Sequence, residues 1–171
     1  MSIQSLIDRA EAAKRDFDKS HKINIAYGEE LEKSLAADIA ASGVEVRLTK
    51  TFENWDFLSD RIHGDLWIYI EDKIIKVDAK RSNTWNISID SIKDFEGDIY
   101  VIAPQSGSLE ESIVAMAKDI KVIGLECIEE GNVFFSKKSN STLVKVGMKK
   151  DKIKTIPYLK WKEFNFPVNI D

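Results

Sequence analysis

The chain has 171 residues, 43% of them apolar and 32% charged, with 8 glycines and 3 prolines, which fits one globular domain and excludes collagen-like and disordered classes. Its formal charge is -4 at pH 7, unlike that of a protein that coats nucleic acid, and its one cysteine excludes a disulfide framework or a Cys-rich zinc site. No stretch approaches the ~20 apolar residues of a membrane span, the N-terminus is charged from Asp8 onward, and Cys127 lies in an apolar run, so the expectation is a cytoplasmic protein with a buried thiol.

Ile3, Leu6, Ile7, Ala10, Ala13 and Phe17 recur at spacings of three and four, which predicts an amphipathic helix over 3–19. A second helix is predicted from Glu29 to Ala41, with Leu31, Leu35 and Ile39 every four residues and Ser42-Gly43 as its stop. Val44 to Lys50 alternates apolar and polar residues, as a half-buried strand does. Asp65 to Ile70 and Ile74 to Lys80 then read as a hairpin joined by a polar turn around Asp72-Lys73. Leu66, Ile68 and Ile70 alternate on the first strand, and Ile75, Val77 and Ala79 on the second. Matching these apolar sets pairs Asp65 with Lys80, Trp67 with Asp78 and Tyr69 with Lys76, which gathers Asp65, Asp78 and Lys80 at one end of one face.

Beyond the hairpin the pattern predicts a short helix at Ile87 to Phe95, a buried strand at Ile99 to Ala103 and a helix at Leu109 to Asp119. Strands are predicted at Ile120 to Cys127 and Val133 to Phe135. Mixed helices and strands without a linker predict an α/β class: a core over 1–135 with an N-terminal helix, and a basic, strand-rich extension over 136–171 packed on the same domain. That extension carries nine lysines against Asp151, Glu163 and Asp171, a charge of +6, leaving -10 on the rest of the chain. With Tyr158, Trp161, Phe164 and Phe166 interleaved, it offers a nucleic-acid backbone surface at Lys149, Lys150 and Lys152; a solvated lysine-rich face is the competing reading.

Two carboxylates close together in an apolar sheet repel one another and lose hydration, a cost that a divalent cation removes. Carboxylate oxygens and water are the ligands Mg²⁺ takes, with substrate phosphate completing the shell. A nearby lysine orients a nucleophile and offsets developing negative charge. Asp65, Asp78 and Lys80 therefore suit phosphodiester hydrolysis. No phosphate-cradling glycine loop, zinc-spaced Cys/His set or G-x-S-x-G elbow occurs, so kinase, zinc-hydrolase and esterase readings have no support.

Gly64-Asp65, twelve intervening residues, then Asp78-Ala79-Lys80 at the end of an apolar strand resembles the PD-(D/E)xK nuclease superfamily, which includes restriction endonucleases and archaeal Holliday junction resolvases. Upstream, Gly28-Glu29-Glu30-Leu31-Glu32 with Leu35 and Ile39 looks like the opening of that superfamily's first core helix. Gly64 stands where the name-giving proline would be. The resemblance covers roughly 25–104 and implies a restriction-endonuclease-like fold with a central mixed sheet flanked by helices. It implies a metal-dependent DNA endonuclease using Mg²⁺, or Mn²⁺ in its place, with DNA as partner and a homodimer suited to a two-strand cut. By the match Asp65 and Asp78 bind metal, Lys80 is catalytic and Glu32 takes the helical acidic position, with Glu29 and Glu30 as alternatives in the same turn. Lys76, Arg81 and Ser82 are candidates for binding backbone phosphate, and His63 is either structural or a phosphate contact. The alternative function is a catalytically silent nucleic-acid- or protein-binding module.

Overall fold

The computed structural model describes residues 2–170, with side chains for 2–9 and 29–170. Ile3–Ala41 forms one continuous helix, α1, where the sequence predicts two. No proline interrupts residues 20–28, and a single helical glycine costs only about 1 kcal/mol, so nothing local forces a break. The apolar stripe expected at Ala10, Ala13 and Phe17 lies outside the residues whose side chains are described. Further on, Leu31, Leu35 and Ile39 are buried as their spacing requires, and Gly43, at φ +83°, ends the helix.

Six strands form the main sheet: β1 (Glu45–Leu48), β2 (Leu66–Ile70), β3 (Lys73–Arg81), β5 (Ile99–Ala103), β6 (Ile113–Met116) and β9 (Thr155–Pro157), in the order β1-β2-β3-β5-β6-β9. Only β3 and β5 run parallel, so the sheet is mixed. One face buries Leu66, Ile68, Val77, Ile99, Val101 and Val114 under α1 and under Tyr158 and Trp161 of α5 (Tyr158–Glu163). The opposite face packs Tyr100, Ile102 and Ala115 beneath α3 (Ile89–Asp94) and α4 (Ala117–Glu129). A second sheet, β4 (Asn86–Ser88), β8 (Ser141–Lys145) and β7 (Val133–Ser136), closes that layer. Among the described residues no helix is long and apolar enough to cross a membrane.

The hairpin register differs from expectation by two residues. Leu66 pairs with Val77, Ile68 with Ile75, Trp67 with Lys76 and Tyr69 with Ile74. Because side chains alternate with a period of two, a slip of two keeps every apolar residue on its face, and the hydrophobic pattern cannot detect it. Turn geometry decides instead: the loop is the two residues Glu71-Asp72, with Glu71 in the left-handed region at φ +52°. Continued one residue past β2, this register brings Asp65 level with Asp78 rather than with Lys80, and the Asp65 amide donates to the Val77 carbonyl at 2.8 Å.

The expected helix at 109–119 is instead a single 3-10 turn, Leu109–Glu111, followed by β6 and the start of α4. The expected strand at Ile120 to Cys127 lies inside α4. There Ile120, Ile123, Gly124 and Cys127 fill one buried helical face while Val122 and Leu125 are exposed, so the run is apolar on both sides and hides its period. Gly124 is where α4 crosses α3, since a Cβ there would come within 2.7 Å of the Ile92 side chain. Ile87 belongs to β4, and the helix predicted from it begins two residues later. Cys127 is buried, as expected. The 136–171 segment supplies β8 to the small sheet, a 3-10 stretch (Val146–Lys152), β9 at the edge of the main sheet, and α5.

Candidate active site

Asp65 is fixed by backbone before its side chain is considered. α2 (Phe57–His63) ends at Gly64, whose φ of +87° turns the chain into β2. A Cβ at Gly64 would lie 2.6 Å from the Val77 carbonyl oxygen, so no other residue fits without movement. A proline, whose ring holds φ near -65°, cannot adopt this conformation, which accounts for the glycine before Asp65. The buried Thr49 hydroxyl donates to the carbonyls of Gly64 (2.8 Å) and Asp65 (3.0 Å). The Asp65 carboxylate then accepts from the Ala79 amide at 2.9 Å.

Asp78 and Lys80, two apart on β3, project to the same side. The Lys80 ammonium sits 3.0 Å from Oδ2 of Asp78 and 6.0 Å from the Tyr100 ring centre. The Ser91 hydroxyl donates to Oδ2 of Asp78 at 3.4 Å and lies 2.8 Å from the Tyr100 hydroxyl, so α3 and β5 brace the aspartate from below. Glu32 follows the buried Leu31 on α1, and its carboxyl group is in hydrogen-bonding contact with that of Asp65. The structure thus brings Glu32, Asp65, Asp78 and Lys80 together.

A fourth carboxylate, not anticipated from the sequence, completes the cluster. Asp60 projects from α2, accepts from the Trp55 indole N–H at 3.5 Å and contacts Asp65. Its available signal was position alone: it precedes Asp65 by five residues, in a helix of seven residues too short to show a periodic face. Burial and neighbouring carboxylates raise the proton affinity of Glu32, Asp60 and Asp65. Burial, then Asp60, pushes Glu32 up to about 7 against the pull of Lys50. Asp65 is raised well above the usual carboxylate range by burial and by Asp78, and Asp60 is raised chiefly by burial. Burial opposes the Lys80 charge, but the adjoining Asp78 carboxylate outweighs it and holds the ammonium protonated.

This donor set fits a hard divalent cation: carboxylate oxygens in a water-poor space with excess negative charge. Asp65 and Asp78 are the two that share the sheet end, and two protein carboxylates with substrate phosphate and water match the usual shell of Mg²⁺. Among the described residues no three His, Cys, Asp or Glu side chains stand ready-placed as a metal site.

The remaining candidates are placed as follows. Lys76 lies 4.8 Å from the Trp67 ring centre and 3.4 Å from Nδ1 of His63, away from Asp78 along the hairpin. Arg81 donates to the Pro104 and Gly107 carbonyls at 2.8 and 3.3 Å, which pins the loop after β5. The Ser82 hydroxyl accepts from the Asn86 amide at 3.2 Å. Lys149 is bound by Glu126 (2.5 Å) and Glu130 (2.6 Å) of α4, Lys152 lies 3.9 Å from Glu126, and Lys150 sits over Trp85 at 5.7 Å. Intramolecular contacts therefore occupy Arg81, Ser82 and Lys149, while Lys152 stays largely exposed.

No protein-family model, curated protein or solved structure matches the chain.

Proposed function

We propose that this chain is a metal-dependent DNA endonuclease of the PD-(D/E)xK type, with Asp65 and Asp78 as the metal carboxylates, Lys80 as the catalytic lysine and Glu32 as the helical acid. The observation that carries the reading is the convergence of Asp65, Asp78 and Lys80 at one sheet end with Glu32 from α1. The restriction-endonuclease-like assignment rests on that convergence and on the Gly28 to Lys80 motif. Mg²⁺ or Mn²⁺ supplies charge neutralisation at the scissile phosphate. The reaction is hydrolysis: water adds to phosphorus as one ester P–O bond breaks, leaving a phosphomonoester and a hydroxyl. Lys80, kept cationic by Asp78, donates hydrogen bonds to water and to the phosphoryl oxygens as negative charge develops, and does not itself remove a proton. Ser91 and Tyr100 keep Asp78 in place beneath it. A cytoplasmic enzyme of recombination, repair or phage DNA processing, working as a homodimer where both strands are cut, is the setting we assign.

The direct test is cleavage of labelled junction, flap, duplex and single-stranded DNA with Mg²⁺. Asp78→Ala is expected to abolish cleavage with the far-ultraviolet spectrum unchanged; parent-rate cleavage by that variant overturns the assignment. The second reading, a silent binding module, draws support from the absence among the described residues of a ready-placed set of three ligating side chains. Thermal melting with Mg²⁺ or Mn²⁺ separates the two, since a cation bound only by the folded state raises the midpoint.

A further inference from the structure

We propose that Phe57 and Leu58, the first turn of α2, stack against unpaired bases of the substrate strand, so that the carboxylate centre acts on DNA whose bases are unpaired beside the scissile phosphodiester. This rests on the nuclease reading above. Phe57 is 78% exposed and Leu58 55% exposed, adjacent on a seven-residue helix none of whose residues is fully buried. Two large apolar side chains stand side by side toward water, with the Arg61 guanidinium against the Phe57 ring.

Their place defines what covers them. Residues three and four apart share a helix face, so Phe57 flanks both Asp60 and Arg61. Asp60 contacts Asp65 in the carboxylate centre, and the Arg61 guanidinium lies 5.2 Å from the Phe57 ring centre. On this proposal a strand whose phosphodiester reaches Asp65 and Asp78 runs along α2, whose end at Gly64 leads directly into Asp65. The cation over the ring offsets phosphate charge there. Arg61 keeps only long ion pairs, 3.7 Å to Asp90 and 3.6 Å to Asp94, so it can turn toward a phosphate.

The backing is rigid. Trp55, bonded to Asp60, packs edge-on against Phe52 and Trp67 with ring centres 5.4 and 6.0 Å apart, which fixes α2 relative to the sheet. The exposed turn itself carries no lysine or arginine before Arg61, so it lacks the cations that grip a duplex backbone. A duplex hides its base faces within the stack, whereas an unpaired base presents one to an aromatic or aliphatic side chain. The chemistry of this flank thus selects unpaired bases over intact duplex.

The test uses the full chain and the double variant Phe57→Ala, Leu58→Ala, with fluorescence anisotropy on three labelled DNAs: a single strand, a flap and a fully paired duplex, measured without divalent cation. The parent protein is expected to prefer the single strand and flap, and the variant to lose on the order of tenfold affinity for those two with duplex binding and thermal midpoint unchanged. Phe57→Trp is expected to retain the preference and to show indole quenching on binding. Equal binding of the single strand by parent and double variant, or equal losses on all three DNAs, overturns the proposal. So does a change of sedimentation coefficient in the variant, which makes the patch a seam between two copies. Asp78-dependent cleavage with no effect of the double variant overturns this inference alone; absence of both binding and cleavage on every DNA overturns the nuclease reading as well.

Discussion

Thr49 grips Asp65 by the backbone: its hydroxyl donates to the Asp65 carbonyl at 3.0 Å and to the Gly64 carbonyl at 2.8 Å, and the Asp65 carbonyl also accepts from the Thr49 amide. The residue that begins the carboxylate centre is thus set by a side chain sixteen positions upstream. Thr49→Val keeps the shape and removes the hydroxyl donor, so the Gly64 carbonyl loses that partner while the Asp65 carbonyl keeps only the Thr49 amide. The unfolding free energy is expected to fall by about 1–2 kcal/mol in urea titration. Cleavage measured well below the unfolding midpoint is expected to drop as well, because Asp65 loses its fixed position; unchanged values of both would show that Thr49 has no hold on the centre.

Gly64→Ala tests the same junction from the other side. The new methyl would meet the Val77 carbonyl oxygen at 2.6 Å in a backbone conformation with φ +87° that L-residues rarely adopt. A loss of about 2 kcal/mol or more is expected, since both the clash and the strain oppose the native state. A variant as stable as the parent would mean that the turn relaxes freely and does not place Asp65.

Much of this site was readable from the chain because alternation alone assigns Asp65, Asp78 and Lys80 to one side of the hairpin. The register was not, because a two-residue slip leaves that alternation intact and the turn residue Glu71 has no glycine or asparagine signature for its left-handed conformation. The α4 stretch misled for a different reason: Val122 and Leu125 are apolar but exposed, which blurred a helical period that Ile120, Ile123 and Cys127 obey. Asp60 and the Lys149 partners were invisible because they depend on tertiary approach, the latter across twenty-three residues to Glu126.

The carboxylate cluster makes stability depend on pH. Glu32 titrates at about 7 in the folded chain against 4.5 when unfolded, and Asp65 and Asp60 shift in the same direction. Between these values the folded state binds more protons than the unfolded one, so its stability is greatest below the unfolded value and declines as pH rises toward 7. Urea midpoints measured across that window are expected to fall with rising pH, and Glu32→Gln is expected to flatten the slope. Mg²⁺ acts with the opposite sign because it prefers ionised carboxylates, so its stabilising effect is expected to grow with pH. A midpoint that rises from pH 4.5 to 7 in the parent would show that the acids are not crowded.

The lysine-rich 3-10 stretch carries two different kinds of charge, and their separation is measurable. Lys149 is bound by Glu126 and Glu130, at 2.5 and 2.6 Å, and these contacts tie the stretch to α4. Lys149→Met is therefore expected to lower the thermal midpoint modestly with little effect on DNA affinity, since its charge is already matched within the chain. Lys152 is 57% exposed, 3.9 Å from Glu126, and Lys150 lies over Trp85. Each phosphate contact adds about 0.9 to the slope of log affinity against log salt on duplex DNA. If these two lysines touch the backbone, Lys150→Gln with Lys152→Gln lowers that slope by up to about 2 and leaves the thermal midpoint nearly unchanged. Adding Lys149→Met is then expected to lower stability without a further change of slope. A triple variant with the parent's salt slope would remove this stretch from the DNA surface and leave Lys76 on the hairpin as the next cation to examine.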